Sequence, residues 1–373
     1  MDRIYLDHNA TTRPLPEVVE AMAACMQDGF GNPSSVHAFG QTARRLLDRA
    51  REQVAALLNA SPEEILFTSG GTEADNQALC GTVAAGEHLV TTAIEHPAIL
   101  NTCRFLETRG SRVTYLPVDP QGILSLDALE AALGPDTGLI TIMAANNDLG
   151  TLQPLAEAAA LARSRGILMH TDAVQAAGKI PLDVQALGVD LLSLSAHKLH
   201  GPKGVGALFV RRALPLRPLI QGGSQERRLR GGTENLPGIV GFGVACAWAQ
   251  GHLEANREQI TALRSRLECG LLAIPGFRLH GHPTLRLPNT VNIGLPGILG
   301  TDLQLNLDLE GIAVSVGSAC SSENREPSYV LKALGMGDEA ARQSLRFSLG
   351  FQNTEAEIDR TLQVTREVVS RLI

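Results

Sequence analysis

Several features that would assign a chain to a membrane, to nucleic acid or to a secretory route are missing from this sequence. No segment approaches the ~18 uninterrupted apolar residues of a transmembrane helix. Aromatic residues make up 3% of the chain, the net charge is −7 and no basic tract is present, so nucleic acid is a poor candidate for a partner. The first residues contain no apolar signal region, which predicts a cytoplasmic protein.

Cysteine is also scarce. Six cysteines occur in 373 residues and none form a Cys-x-x-Cys pair, so we expect no disulfide framework and no structural metal. Five of them are interpreted as small buried thiols on helices, namely Cys25, Cys80, Cys103, Cys246 and Cys269. Cys320 differs, because it follows an apolar strand pattern and precedes a polar run, residues 321–327. We expect an exposed and mobile thiol there.

What the sequence does contain is an alternation of strand and helix patterns. Seven short apolar runs read as buried strands, at residues 65–67, 89–91, 113–115, 139–142, 167–169, 191–193 and 205–209. Helical spacing between most of them predicts an α/β fold with a mostly parallel seven-stranded sheet covered on both faces. The rhythm changes after residue 212. We predict a large domain, residues 13–251, and a smaller α+β domain formed by residues 1–12 and 252–373.

The first chemical motif is Phe-Thr-Ser-Gly-Gly-Thr-Glu at residues 67–73, which follows a predicted strand and opens a helix. Glycines let the backbone approach an anion, and the free N–H groups of a helix start bind phosphate. The pattern is neither the dinucleotide glycine motif nor a Walker loop. A tight turn with a threonine cap is the alternative interpretation.

Two further motifs end predicted strands. Asp172 closes one, where a carboxylate can pair with the protonated ring nitrogen of pyridoxal 5′-phosphate (PLP) or, alternatively, cap the next helix. Lys198 follows another, in a loop bounded by glycine and proline, where a desolvated amine can form a Schiff base. Most lysines are solvated, and Lys179 and Lys203 fit that interpretation. A phosphate loop, an aspartate and a lysine in this order together indicate PLP.

These motifs belong to a longer resemblance, which runs over essentially the whole chain. The sequence resembles the NifS/IscS-like cysteine desulfurases, fold-type I PLP enzymes of the class V aminotransferase superfamily. The stretches that carry the resemblance are residues 5–12, 31–35, 95–97, 146–148, 225–227, 232–235, 317–322 and 345–350. One departure is Asp148, where the family usually has glutamate.

The resemblance implies a role for each matching residue in cofactor binding. Lys198 holds PLP as a Schiff base, Asp172 pairs with the ring nitrogen and Gln175 donates to the ring hydroxyl. His96 stacks on the ring and moves protons. Gly71, Thr72, Ser195 and His197 contact the phosphate, and Asn147 is also near the cofactor. Thr233 reaches the phosphate of the neighbouring subunit, which implies a homodimer.

The resemblance also implies the reaction. Asn32, Asn147 and Arg346 bind the carboxylate of the substrate, L-cysteine, and Cys320 takes its sulfur as a persulfide while L-alanine is released. The sulfur then passes to an acceptor protein, for which an iron–sulfur scaffold is one candidate. Two alternatives stay open: a selenocysteine lyase or related PLP enzyme, and a non-catalytic sulfur-relay partner. The intact set of Lys198, Asp172, His96 and Cys320 disfavours the second.

Overall fold

Strands and helices alternate through the first 210 residues of the chain. The computed structural model describes residues 3–317 and 327–372. Its strands are β1 (Ile4–Tyr5), β2 (Ile65–Thr68), β3 (His88–Thr92), β4 (Arg112–Leu116), β5 (Thr137–Thr141), β6 (Leu168–Asp172), β7 (Leu191–Ser195), β8 (Gly206–Val210), β9 (Arg278–His280), β10 (Thr290–Gly294), β11 (Ile312–Ala313) and β12 (Ser344–Ser348). Its helices are α1 (Pro16–Asp28), α2 (Ala38–Leu57), α3 (Gly71–Thr82), α4 (Pro97–Thr108), α5 (Leu126–Ala132), α6 (Leu155–Ser164), α7 (Val184–Leu187), α8 (Leu236–Leu272), α9 (Gly300–Leu309), α10 (Tyr329–Ala333), α11 (Asp338–Arg342) and α12 (Glu355–Leu372).

The seven predicted strands form one sheet, which confirms the predicted α/β class. The order is β2-β8-β7-β6-β5-β3-β4, and only β8 runs antiparallel to its two neighbours. Four strands are buried along their whole length, namely β2, β3, β7 and β8. Strand β6 is buried after its first residue. Continuous apolar runs are typical of strands that have helices on both faces, which is why the sequence pattern located them.

A second, smaller group of elements packs around its own core. Strands β9, β10 and β12 form an antiparallel sheet, in which Asn292 lies opposite Arg346. Strand β1 pairs in parallel with β11, so the N-terminal residues join elements from the end of the chain. Helix α8 contributes buried side chains to this core and to that of the large sheet. The division at residues 12/13 and 251/252 stays a prediction.

The described cysteines all lie on helices and are free thiols. Cys25, Cys103 and Cys246 are buried and Cys80 is half-buried, but Cys269 is exposed. The prediction of a buried thiol is therefore wrong for Cys269, which lies on the outer side of the last turn of α8. Within residues 3–317 and 327–372, no helix has both the length and the apolar character needed to cross a membrane.

Candidate active site

The predicted site residues meet at one edge of the seven-stranded sheet, where the parallel strands end. Strand β6 ends at Asp172, and β7 ends at Ser195, directly before a 3-10 turn. Open α/β sheets bind ligands beyond the carboxyl ends of their strands. A cavity of about 260 Å³ lies here. Its wall contains nine of the ten predicted cofactor contacts, which are Gly71, Thr72, His96, Asn147, Asp172, Gln175, Ser195, His197 and Lys198.

The connection from β2 to α3 contributes the predicted phosphate loop. Helix α3 begins at Gly71, and Gly70 before it supplies no side-chain cap, so the threonine cap of the alternative interpretation is not present. The first N–H groups of the helix are therefore available to an anion. The backbone is close-packed here, because a Cβ on Gly206 would lie 2.7 Å from the Cα of Gly70. Only glycine fits at that position of β8.

Two buried carboxylates and an imidazole come together on the cavity wall. Ligand atoms of Asp75, His96 and Asp172 lie within 4.8 Å of one another. The pKa of Asp75 is raised first by burial and then by the charge of the neighbouring Asp172. The pKa of Asp172 is also raised by burial, although the charge of His96 lowers it in part. Such a pair favours a cationic group beside it. By distance the three could also hold a metal ion, so the expected absence of a metal stays a prediction.

Asp172 also makes the local contact that the alternative interpretation requires. Its Oδ1 accepts a hydrogen bond from the N–H of Val174 at 2.9 Å. The residues that follow form a turn rather than a helix. One carboxylate oxygen thus caps this turn, and the side chain still lines the cavity.

Lys198 lies on the cavity wall with its amine held by main-chain oxygens. Its Nζ donates to the carbonyl of Asn9 at 2.6 Å and to that of Ala10 at 2.8 Å. Both acceptors belong to the segment after β1, nearly 190 residues earlier in the chain. The N-terminal segment therefore completes the site around the lysine.

The two histidines of the cavity have lowered pKa values. Burial lowers the pKa of His96, and burial followed by the charge of Lys198 lowers that of His197 to about 4. His96 caps the start of α4, where its Nδ1 accepts the N–H of Ala98 at 3.2 Å. This contact leaves the proton of the neutral ring on Nε2. His96 can therefore donate a hydrogen bond from Nε2.

Lys179 is not the solvated surface residue that the sequence predicted. Its Nζ donates to Gln175 Oε1 at 2.9 Å and to Asn9 Oδ1 at 3.4 Å. Burial, with the charge of Lys198, lowers the pKa of Lys179 to about 7. The prediction is wrong because the turn after β6 is helical in its hydrogen bonding, which puts Lys179 on the same side as Gln175, four residues earlier. Lys203 is exposed, as predicted.

Arg346, the predicted ligand of the substrate carboxylate, is buried and paired. Its Nη2 donates to Asp7 Oδ1 at 2.8 Å, and its Nη1 donates to Asp148 Oδ1 at 3.3 Å and to the carbonyl of Asn147 at 3.0 Å. Its Nε is buried and has no partner within the described ranges. Asp148 also accepts a hydrogen bond from Ser328 at 2.9 Å.

Asn32 and Thr233 do not line this cavity. Asn32 is exposed, and its Oδ1 accepts the N–H of Ser34 at 2.9 Å. Thr233 is exposed in the loop before α8. Cys320 lies outside the described residues. The roles of Asn32, Thr233 and Cys320 therefore stay predictions.

Two residues of the site were missed from the sequence. Asp75 lines the cavity because it lies four residues after Gly71, one turn into α3, and this spacing could have revealed it. Asn9 is 2% exposed and contacts Lys198, Gln175 and Lys179. No local signal marked Asn9, since all these contacts cross more than 150 residues of chain.

The chain belongs to the aminotransferase class-V family, whose model matches residues 4–361. It is 49% identical to "Cysteine desulfurase IscS" of Methanosarcina thermophila, in an alignment that covers 99% of this chain and 92% of that relative. Among solved structures it is similar to a NifS-like protein, with a TM-score of 0.93 and 41% identity over 99% of this chain and all of the other. A structure of SspA in complex with cysteine has a TM-score of 0.83 and 38% identity, and covers 94% of this chain and 100% of that one.

PLP is the cofactor of this family, and the cavity fits it. The wall offers an amine for the aldehyde, carboxylates for the ring nitrogen and an uncapped helix start for the phosphate. Two wall oxygens, Asp75 Oδ1 and Asn147 Oδ1, are buried and lack a hydrogen-bond partner in the part of the chain that is described. Buried polar atoms are normally paired, so these oxygens indicate a polar ligand.

Proposed function

We propose that this chain is a cysteine desulfurase that transfers the sulfur of L-cysteine to Cys320 and releases L-alanine. One observation carries the proposal: a single cavity gathers a lysine, two carboxylates, an imidazole and an uncapped helix start. The relatives reported above, of which one is named a cysteine desulfurase, support this choice among PLP reactions. A plain aminotransferase needs no thiol, and a non-catalytic sulfur-relay partner does not need this cavity.

The cavity residues divide the work of proton transfer. Bound PLP supplies the electron sink for the pair left on the substrate carbon when its α-proton departs. Lys198 Nζ would hold the aldehyde of the cofactor and, when released from it, would accept that proton. Asp172 holds the ring nitrogen in its protonated form, and Gln175 donates from Nε2 to the ring hydroxyl. His96 directs its Nε2 N–H at the reacting groups and moves protons, as the resemblance implies.

Arg346 binds the substrate carboxylate, assisted by Asn147 and Asn32. A guanidinium suits this role because its planar fork binds a carboxylate through two hydrogen bonds. Of its two acidic partners, Asp148 is fully buried whereas the Asp7 side chain is 19% exposed. Asp7 is therefore the partner that an incoming carboxylate replaces, while Asp148 keeps the other edge of the guanidinium in place.

The sulfur step needs a thiolate at Cys320. The C–S bond of the substrate breaks, an S–S bond to Cys320 Sγ forms, and the electron pair of the C–S bond stays on carbon, which takes a proton to become the methyl group of alanine. Asp148 contacts Ser328 directly, and a Cβ on Gly317 would lie 3.3 Å from Asp148 Oδ2. The chain segments on either side of Cys320 are thus held beside the predicted carboxylate site.

The test is a sulfide-release assay on the purified PLP-bound enzyme with free L-cysteine and a thiol reductant. We expect sulfide and alanine in equal amounts, and neither from Cys320→Ala. The matched control is Cys269→Ala, which removes the exposed thiol of α8 and should leave turnover unchanged. Near-normal sulfide release by Cys320→Ala, or turnover with selenocysteine and none with cysteine, contradicts the proposal.

A homodimer is part of the proposal. Thr233 is exposed and does not line the cavity of its own subunit, although the other predicted phosphate contacts do. Exposed apolar side chains, Phe30, Val36 and Phe39, flank Asn32, and such a patch marks an interaction surface. In the proposed dimer, Thr233 completes the phosphate site of the neighbouring subunit.

The sulfur acceptor is a protein, for which an iron–sulfur scaffold is the candidate that the resemblance favours. We place the reaction in the cytoplasm. The five described cysteines are free thiols, and a persulfide-forming thiol needs a reducing compartment to be regenerated. Transfer of labelled sulfur from the loaded enzyme to a purified scaffold tests the acceptor.

A further inference from the structure

Lys179 takes no part in the reaction described above, although it lies next to the residues that do. The chain contains four lysines, at positions 179, 198, 203 and 332. Lys179 and Lys198 both donate to Asn9, the first to its side-chain oxygen and the second to its main-chain oxygen. The hydrogen-bond acceptors of Lys179 are amide oxygens rather than carboxylates. A half-buried cation held by neutral groups is costly to the fold, so its presence needs a reason.

The ammonium of Lys179 determines which way the Gln175 carboxamide faces. A lysine ammonium has three donors and no acceptor, so the atom that it contacts at 2.9 Å must be Gln175 Oε1. The Nε2 end then donates to the Asn9 carbonyl at 2.9 Å. Nε2 carries a second hydrogen, and Gln175 lines the cofactor cavity. In the reversed amide, Nε2 would face the Lys179 ammonium, donor against donor, and Oε1 would face the Asn9 carbonyl, acceptor against acceptor.

Asn9 is held in place from several directions, and Lys179 is one of them. Its Oδ1 also accepts from Asn289 at 3.0 Å, and its Nδ2 donates to Thr290 Oγ1 and to the carbonyl of Asn147. The Asn9 carbonyl is the shared acceptor of Gln175 and Lys198. A shift of Asn9 would therefore move both cofactor-binding side chains.

We propose that Lys179 is a positioning residue for the cofactor, which holds the Gln175 carboxamide with its N–H donors toward the ring hydroxyl and braces Asn9 against Lys198. This inference rests on the role proposed for Gln175. Burial lowers the pKa of Lys179 to about 7. Loss of the proton does not abolish the positioning role, because the neutral amine still donates two hydrogen bonds. Lys179 acts through Gln175 and Asn9 and does not touch the reacting atoms.

The experiment is a double-mutant cycle on cofactor binding by the apoenzyme, with Lys179→Met, Gln175→Ala and the double variant. The dissociation constant of PLP is measured by absorbance titration, and the visible spectrum of the bound cofactor is recorded. We expect Lys179→Met to weaken binding about tenfold, because it leaves the buried Oε1 without a donor. Lys179→Met should weaken binding less in the Gln175→Ala background than in the wild type, because the part of its effect that acts through Gln175 is already lost. Lys332→Met removes an exposed lysine and should change neither quantity.

The outcomes separate this inference from the function on which it rests. If Gln175→Ala binds PLP with wild-type affinity and spectrum, the role proposed for Gln175 fails. If Gln175→Ala weakens binding and the effect of Lys179→Met adds to it in full, Lys179 acts elsewhere and the inference is overturned. Lys179→Gln keeps an N–H donor for Oε1 and should stay within about threefold of wild type. This variant decides the question if Lys179→Met does not fold, and a tenfold loss in it contradicts the inference.

Discussion

A buried ion pair between Arg51 and Glu226 holds the strand that leads into the phosphate loop. Arg51 donates to both oxygens of Glu226, at 2.5 and 2.9 Å, and to the carbonyl of Ile65 at 2.7 Å. Glu226 Oε2 also accepts the N–H of Phe67. The two side chains are 8% and 2% exposed. The pair thus ties α2 and the 225–228 turn to β2, two residues before the loop begins.

Replacing Arg51 by methionine should severely destabilise the part of the fold that contains the seven-stranded sheet. The substitution leaves the Glu226 carboxylate buried with the Phe67 N–H as its remaining neutral donor. Breaking one side of a buried pair costs about 3–5 kcal/mol. For a domain of roughly 150–250 residues, 1 kcal/mol corresponds to a change of about 2–4 °C in Tm. We therefore expect a decrease of about 6–20 °C.

A second substitution tests the cause. Arg51→Met/Glu226→Gln removes the orphaned charge but keeps an oxygen for the Phe67 N–H, so it should recover at least half of the loss. Unfolding is followed by calorimetry and by the fluorescence of Trp248, the single tryptophan, which packs against the large core. The control is Arg266→Met, which breaks an exposed pair with Asp359 and should change Tm by less than about 3 °C. A double variant as unstable as Arg51→Met would refute the reasoning.

Three further predictions concern the site. Lys198→Ala should lose the visible absorption of Schiff-base-bound PLP and all turnover, and a borohydride-reducible adduct that survives in this variant would assign the linkage to another residue. Burial raises the pKa of Glu95 to about 8, so its contribution to stability is complete below its ordinary pKa of 4.5 and is lost as the pH rises through 8. The Tm of Glu95→Gln should therefore rise relative to that of the wild type between pH ~5 and ~8. A difference in Tm that stays constant over this range contradicts the prediction. Light scattering should show a dimer in which Thr233→Ala weakens PLP binding, and an active monomer at assay concentrations is incompatible with the proposed shared site.

The strands and the local motifs were determined by the sequence alone. Parallel strands covered on both faces must be continuously apolar, so each of the seven appeared as a short run. The polar residue that ends such a run, Asp172 or Lys198, necessarily lies at the ligand-binding edge of the sheet. Gly71 follows β2 for the same reason. These assignments need no knowledge of how distant segments pack.

The surroundings of those residues were decided by tertiary structure. Nothing in the sequence around Lys179 distinguishes it from a surface lysine. Only the packing of the N-terminal segment against the turn after β6 places it, half-buried, beside Gln175 and Asn9. Arg346 meets Asp7 because β12 lies next to the segment that follows β1, 339 residues earlier. Contacts of this kind leave no periodicity in the sequence, because their energy depends on burial and hydrogen-bond geometry that exist only once the chain has folded.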